Sequence, residues 1–188
     1  MINLGKKWFG GGDADGDEDF ELRLDTMRIG DLLDYDLKTW EVTGLCAYDY
    51  DGFPSSEWQL TSRQDVRFLE RAEEDGQVEW SLTRSIDYGD IQEDVATPMG
   101  ADEDPPPLIH FDSRSYKAVE SSSGVQTDVD REGSMDENQG REFVSWSYES
   151  EDGRLLFLLR WGETRFSAYE GESVEAYSFT DILPGADR

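Results

Sequence analysis

Trp40-Glu41-Val42-Thr43-Gly44-Leu45-Cys46-Ala47-Tyr48 alternates with period two, which puts successive side chains on opposite faces of a strand. Leu33-Asp34-Tyr35 leads into it, and Asp49-Tyr50-Asp51-Gly52-Phe53-Pro54 is a turn cluster that ends it. Trp58-Gln59-Leu60 and Val66-Arg67-Phe68-Leu69 continue as strands. Glu74-Asp75-Gly76 then turns the chain into Val78-Glu79-Trp80-Ser81-Leu82.

Further along, residues 87–109 read as irregular and end on the stiff run Glu103-Asp104-Pro105-Pro106-Pro107. Strands resume at Tyr116-Lys117-Ala118-Val119, and a polar stretch covers 121–140. Phe143 to Tyr148, Leu155 to Trp161, Arg165 to Tyr169 and Val174 to Phe179 follow, separated by acidic Gly turns. No amphipathic helical stretch exceeds two or three turns. The expected fold is therefore all-β.

Trp58-Gln59-Leu60 followed by Phe68-Leu69-Glu70-Arg71 is echoed by Trp146-Ser147-Tyr148 followed by Phe157-Leu158-Leu159-Arg160. Two related antiparallel β-modules, packed as a compact barrel- or sandwich-like domain, suit this length. The expected organisation is an apolar-basic tip at 1–9, an acidic Gly/Asp linker at 10–25 making a flexible N-terminal tail, and an all-β domain at 26–185. Within that domain the halves fall at 26–86 and 112–185.

Charge sets the environment. The 188 residues carry 44 Asp+Glu against 17 Lys+Arg, a formal net charge of −27. Nucleic-acid binding through a basic face is excluded, because phosphate contacts need Lys and Arg. So is adhesion of the whole surface to an anionic bilayer. Twenty-three aromatic residues (six Trp, eight Tyr, nine Phe) argue for a folded core beneath the acidic surface rather than disorder. Scarce lysine with acidic excess suits a halophilic, salt-accumulating cytoplasm, where screening relieves self-repulsion. The longest apolar run, Leu155 to Leu159, is too short to span a bilayer, and the first nine residues lack a secretory h-region. A cytoplasmic protein is expected.

Catalytic and metal motifs are sparse. His110 stands alone as a histidine and reads as a half-buried strand residue. Cys46, the single cysteine, reads as a small buried hydrophobe and excludes an intrachain disulfide. Asp128, Asp130, Glu132 and Asp136, with Gly133 at position six, approach a calcium loop, but Gln139 occupies the position of the bidentate Glu. Weak calcium binding there is the one cofactor expectation. Carboxylate pairs are too abundant to discriminate an active site.

In the tip, Ile2, Leu4, Trp8 and Phe9 are apolar, and Lys6 and Lys7 are half of all the lysines. Such a segment suits docking to a partner groove or peripheral contact with an anionic membrane. A frayed start or addition of the tip as an intramolecular strand is the simpler account of it.

Ile29-Gly30-Asp31-Leu32-Leu33 before Trp40 to Gly44 resembles the opening strand pair of a known prokaryotic family. Glu57-Trp58-Gln59-Leu60, Phe68-Leu69 and Val78-Glu79-Trp80 resemble its next strands. Gly162 through Gly171, Val174, Phe179 and Ile182-Leu183-Pro184-Gly185 resemble its closing segment. The family is domain of unknown function 4178, and the resemblance covers roughly 27–185. It implies an all-β domain without established activity or catalytic residues. Members of that family are often encoded beside membrane-stress coat proteins or polyamine-related genes, so the resemblance implies a partner role, with a membrane-associated coat protein as one candidate partner. The expected function is a non-enzymatic interaction or adaptor module. A calcium-binding acidic β-protein and a carboxylate-dependent enzyme are the alternatives.

The charge reading makes a prediction. Thermal stability should rise from dilute buffer to about molar salt, as the Debye length shrinks to about 3 Å. Equal melting temperatures in the two solutions would contradict it.

Overall fold

A computed structural model describes residues 23–74 and 76–186. Among them, eleven strands form one antiparallel sheet. The first half comprises β1 (Leu32–Tyr35), β2 (Lys38–Tyr50), β3 (Phe53–Ser62), β4 (Asp65–Glu74) and β5 (Gln77–Ile86). The second comprises β6 (Leu108–Phe111), β7 (Arg114–Asp128), β8 (Arg141–Ser150), β9 (Arg154–Trp161) and β10 (Arg165–Val174). β11 (Thr180–Leu183) adds to the edge of β1.

Both halves follow one plan. Each opens with a two-residue hairpin whose central residues have positive φ, Asp36 and Leu37 in one, Asp112 and Ser113 in the other. This is the backbone that a tight hairpin requires to match strand twist. Each then runs into a long strand whose register shifts a few residues in, between Val42 and Gly44 on β2 and between Ala118 and Glu120 on β7. A three-strand meander completes each half.

Two seams join the halves: β2 pairs with β7, and β5 with β10. The sheet thereby closes into an eight-stranded barrel of β2-β3-β4-β5-β10-β9-β8-β7. Backbones approach closely at both seams. A Cβ on Gly124 would collide with the Asp49 carbonyl, and one on Gly171 with the Leu82 carbonyl. Glu170, almost fully buried, ties the second seam together. It pairs with Arg154 on β9 at 2.6 Å and with Arg84 on β5 at 3.4 Å.

The main apolar cores lie outside the barrel, under covers supplied by the connections. Trp40, Val42, Trp58, Leu60, Leu69 and Leu82 pack beneath Leu24, Met27 and Phe179. Buried Asp31 fastens this cover by accepting hydrogen bonds from the Arg28 and Gly185 N–H groups. On the other half, Tyr116, Trp146, Tyr148, Leu156 and Leu158 pack beneath Ile91, Val95 and Met99. The segment expected to be irregular is thus the lid of a core, and it includes the short helix α1 (Ala96–Gly100). β7 also runs through Ser121-Ser122-Ser123-Gly124, which composition alone placed in a polar connection. Pairing with β8 carries the strand through the serines to Gly124, where β7 meets β2.

Gly171→Ala should destabilise the protein by about 2 kcal/mol or more, because the obstructing atom is backbone and cannot rotate away. Gly153→Ala is the comparison; its added Cβ meets open space but its positive φ costs about 1 kcal/mol. Urea unfolding of the two variants measures the difference.

Candidate functional site in the barrel lumen

Residues paired across neighbouring strands share a face, so the register identifies the lumen. Cys46 lies opposite Glu57, and Glu57 opposite Glu70. Tyr48 lies opposite Ser55 and Gln126. Tyr169 lies opposite Phe157. Tyr48, Tyr50, Phe143 and Trp161 stack in successive edge-on and parallel contacts, with centroids 5.2–5.8 Å apart, and fill part of the interior. A cavity of about 200 Å³ remains, lined among others by Cys46, Tyr48, Glu57, Phe68, Trp161 and Tyr169. Eight-stranded barrels have interiors just wide enough to be filled by side chains or to hold one small ligand.

The lumen is polar as well as aromatic. Gln126 donates to the Tyr48 hydroxyl at 3.1 Å, and Tyr48 donates to Glu57 Oε1 at 3.1 Å. Behind Glu57, the Ser55 and Tyr50 hydroxyls both donate to Glu70 Oε1. Burial pushes the Glu57 carboxyl up to about 8, and the charge of Glu70 adds to the rise against the Tyr48 hydrogen bond. Burial also raises Glu70, against hydrogen bonds from Ser55 and Tyr50. Glu57 keeps some accessible surface and lines the cavity.

The Cys46 thiol is pushed up to about 12, chiefly by burial, and donates to Asp128 at 3.4 Å. It is a poor nucleophile in this state. At the rim, Arg141 pairs with Asp128 at 2.6 Å, and Arg165 projects from the same face of β10 as Ser167 and Tyr169.

The loop residues singled out in the sequence are dispersed. Asp128 belongs to the lumen rim. Asp130 caps the Ser134 N–H, Asp136 binds Asn138 and Gln139, and Glu132 is exposed. Among the described residues, no three His, Cys, Asp or Glu side chains group to hold a metal ion. His110 is partly buried on β6, where Glu93 binds both its ring Nδ1 and its backbone N–H at 2.7 Å. Ile2, Leu4, Lys6, Lys7, Trp8 and Phe9 lie outside the described residues. No helix among the described residues is long and apolar enough to cross a membrane.

Sequence reasoning missed Glu57 and Glu70. Their polar, period-two positions with Ser55 and Gln59 read as a solvated strand face. The signal that could have marked them is the opposite face, where Trp58 and Leu60 already supply a buried stripe.

A second feature sits outside the barrel. Glu120 to Ser123 of β7 pair with β8 on one side, Val119 is the bulge that precedes them, and among the described residues no strand lies on the other side, where Ser123 donates to Asp51 at 3.1 Å. Beside them lies an open groove of about 590 Å³, lined by Pro105, Pro106, Pro107, Val119, Trp146 and Tyr148. Trp146 donates to Asp104 at 2.8 Å and Tyr148 to the Pro106 carbonyl at 3.1 Å, which holds the proline run against the sheet.

Fold and site together define a closed antiparallel barrel with a carboxyl-bearing aromatic lumen. A family profile matches residues 28–176, and the chain belongs to the family described as Domain of unknown function (DUF4178). It is 24% identical over 161 residues to an uncharacterized protein of Aquifex aeolicus (strain VF5), spanning 86% of this chain and 85% of that protein. No solved structure matches significantly.

The Glu57 environment gives a signed prediction. An unfolded-chain Glu titrates near 4.3 and folded Glu57 near 8, so the fold binds the extra proton in between. This contribution to stability is fully present below the unfolded value and is lost as pH rises through the folded one. Glu57→Gln should flatten the decline in melting temperature between about pH 4 and 8, and should be more stable than the parent by about 2–4 °C above about pH 8. Parallel curves for the two proteins would contradict the burial argument.

Proposed function

We propose that this protein is a non-enzymatic interaction module that captures an extended segment of a partner protein along Val119–Ser123. The single observation that carries this reading is a preformed groove, floored by the proline run and walled by Val119, Trp146 and Tyr148. An added strand gains affinity from main-chain hydrogen bonds and specificity from alternate side chains. Val119, 48% exposed, offers an apolar contact, while the exposed Asp104 carboxylate favours a basic residue in the partner. The complementary segment alternates apolar and basic side chains.

A second reading, a carboxylate-dependent enzyme, draws support from Glu57, whose carboxyl is tuned near neutrality beside a cavity. Against it, the thiol facing that cavity is held protonated, and His110 lies with the outer-face elements and does not line it.

A fluorescent peptide alternating Val and Lys tests the interaction reading by anisotropy. It should bind at low salt, bind less as salt rises, and lose most of its affinity in Val119→Glu while melting temperature stays put. Equal affinity for Val119→Glu, or for a scrambled acidic peptide, would contradict it.

A further inference from the structure

The lumen has a chemistry that the strand edge does not use. Glu57 receives one hydrogen bond, from Tyr48 to Oε1, and no described residue donates to Oε2. No basic side chain offsets its charge. The walls around it are aromatic: Tyr48, Phe68 and Tyr169, the last two meeting edge to face at 5.3 Å. A carboxylate among aromatic faces is the chemistry that receives an ammonium group. Toward the rim the sign reverses. Arg165 makes no ion pair among the described residues, whereas the neighbouring Arg141 is already committed to Asp128. The cavity thus has an acidic, aromatic floor and a cationic rim. Its volume of about 200 Å³ equals that of roughly seven waters, the size of a compact organic molecule.

We propose that the barrel lumen binds a small zwitterion, its ammonium seated against Glu57 between the rings and its carboxylate at Arg165. A linear polycation fails to satisfy the rim, and a simple carboxylic acid leaves Glu57 without a counter-charge.

Binding is coupled to protons. The ammonium favours ionised Glu57, so the Glu57 proton leaves when the ligand enters. Cys46, Tyr48 and Tyr169 face the same cavity and stay protonated near neutrality, because burial raises each of them. Glu70 and Tyr50 lie behind Glu57, and Asp128, Arg141 and Arg165 lie at the rim.

The probe is trimethylglycine, a zwitterion whose quaternary nitrogen does not titrate, followed by calorimetry on the full chain. Choline supplies the cation alone and acetate the anion alone. Trimethylglycine should bind more tightly than either. Its affinity should rise about tenfold per pH unit below the Glu57 midpoint and level off above it. Glu57→Gln should weaken it at least about tenfold and remove the pH dependence, whereas Glu70→Gln should leave a pH dependence in place. Arg165→Gln, at an exposed position, should weaken trimethylglycine roughly tenfold and leave choline unchanged. No heat at tens of millimolar ligand would overturn the proposal, as would choline matching trimethylglycine or Glu57→Gln retaining full affinity. None of these results bears on peptide capture at β7, which is read with a different ligand and different variants.

Discussion

Two antiparallel seams, β2 with β7 and β5 with β10, turn two similar sheets into one closed barrel. Everything else in the molecule depends on that closure. Each seam brings backbones so close that only glycine fits, Gly124 at one and Gly171 at the other. Opened at either seam, the inward faces of β2, β3 and β4 would become an ordinary polar surface. Closed, the same faces enclose two carboxyl groups and a ring of aromatic side chains.

Closure also explains why the polarity runs inside out. In a sheet with one solvated face, the apolar stripe faces the core and the polar stripe faces water. Here Trp58, Leu60, Leu69, Trp146, Tyr148 and Leu158 form outer cores, covered by connecting segments. The segment after β5 covers the second half, and the segment after β10 covers the first. Each half therefore relies on chain that follows the other half. This exchange binds the two modules into one unit more firmly than the seams alone. Buried Asp31 and Glu170 reinforce it with hydrogen bonds and ion pairs between separate elements. Such buried carboxylates fix geometry more surely than they add stability.

The all-β class and the two related modules were legible in the sequence because Trp40 to Tyr48, and the Trp58 and Trp146 hairpins, carry a period-two signal. Strand pairing was not, since alternation says which residues share a face and not which strand lies alongside. β6 was lost behind Pro105-Pro106-Pro107, and the middle of β7 behind three serines. The site was less legible still. Glu57 and Glu70 look like any of the other acids along the chain, because a residue facing a lumen and one facing solvent have the same spacing. Only closure separates them, and closure is a long-range property. The calcium-like run shows the converse: Asp128, Asp130 and Asp136 are close in sequence, yet Asp128 is engaged with Cys46 and Arg141 at the lumen rim, whereas Asp130 and Asp136 bond within their own turns.

Excess acid over the whole surface and acid enclosed in the lumen do different physical work. The first is screened by salt; the second lines the barrel's own cavity, and its titration reports directly on whether the barrel is closed. The side-chain carboxyl of Glu57, followed by carbon-13 NMR across a pH series and assigned with Glu57→Gln, is the decisive observable. Closure predicts a midpoint near 8. A midpoint in the ordinary glutamate range, about 4–4.5, would contradict an enclosed lumen.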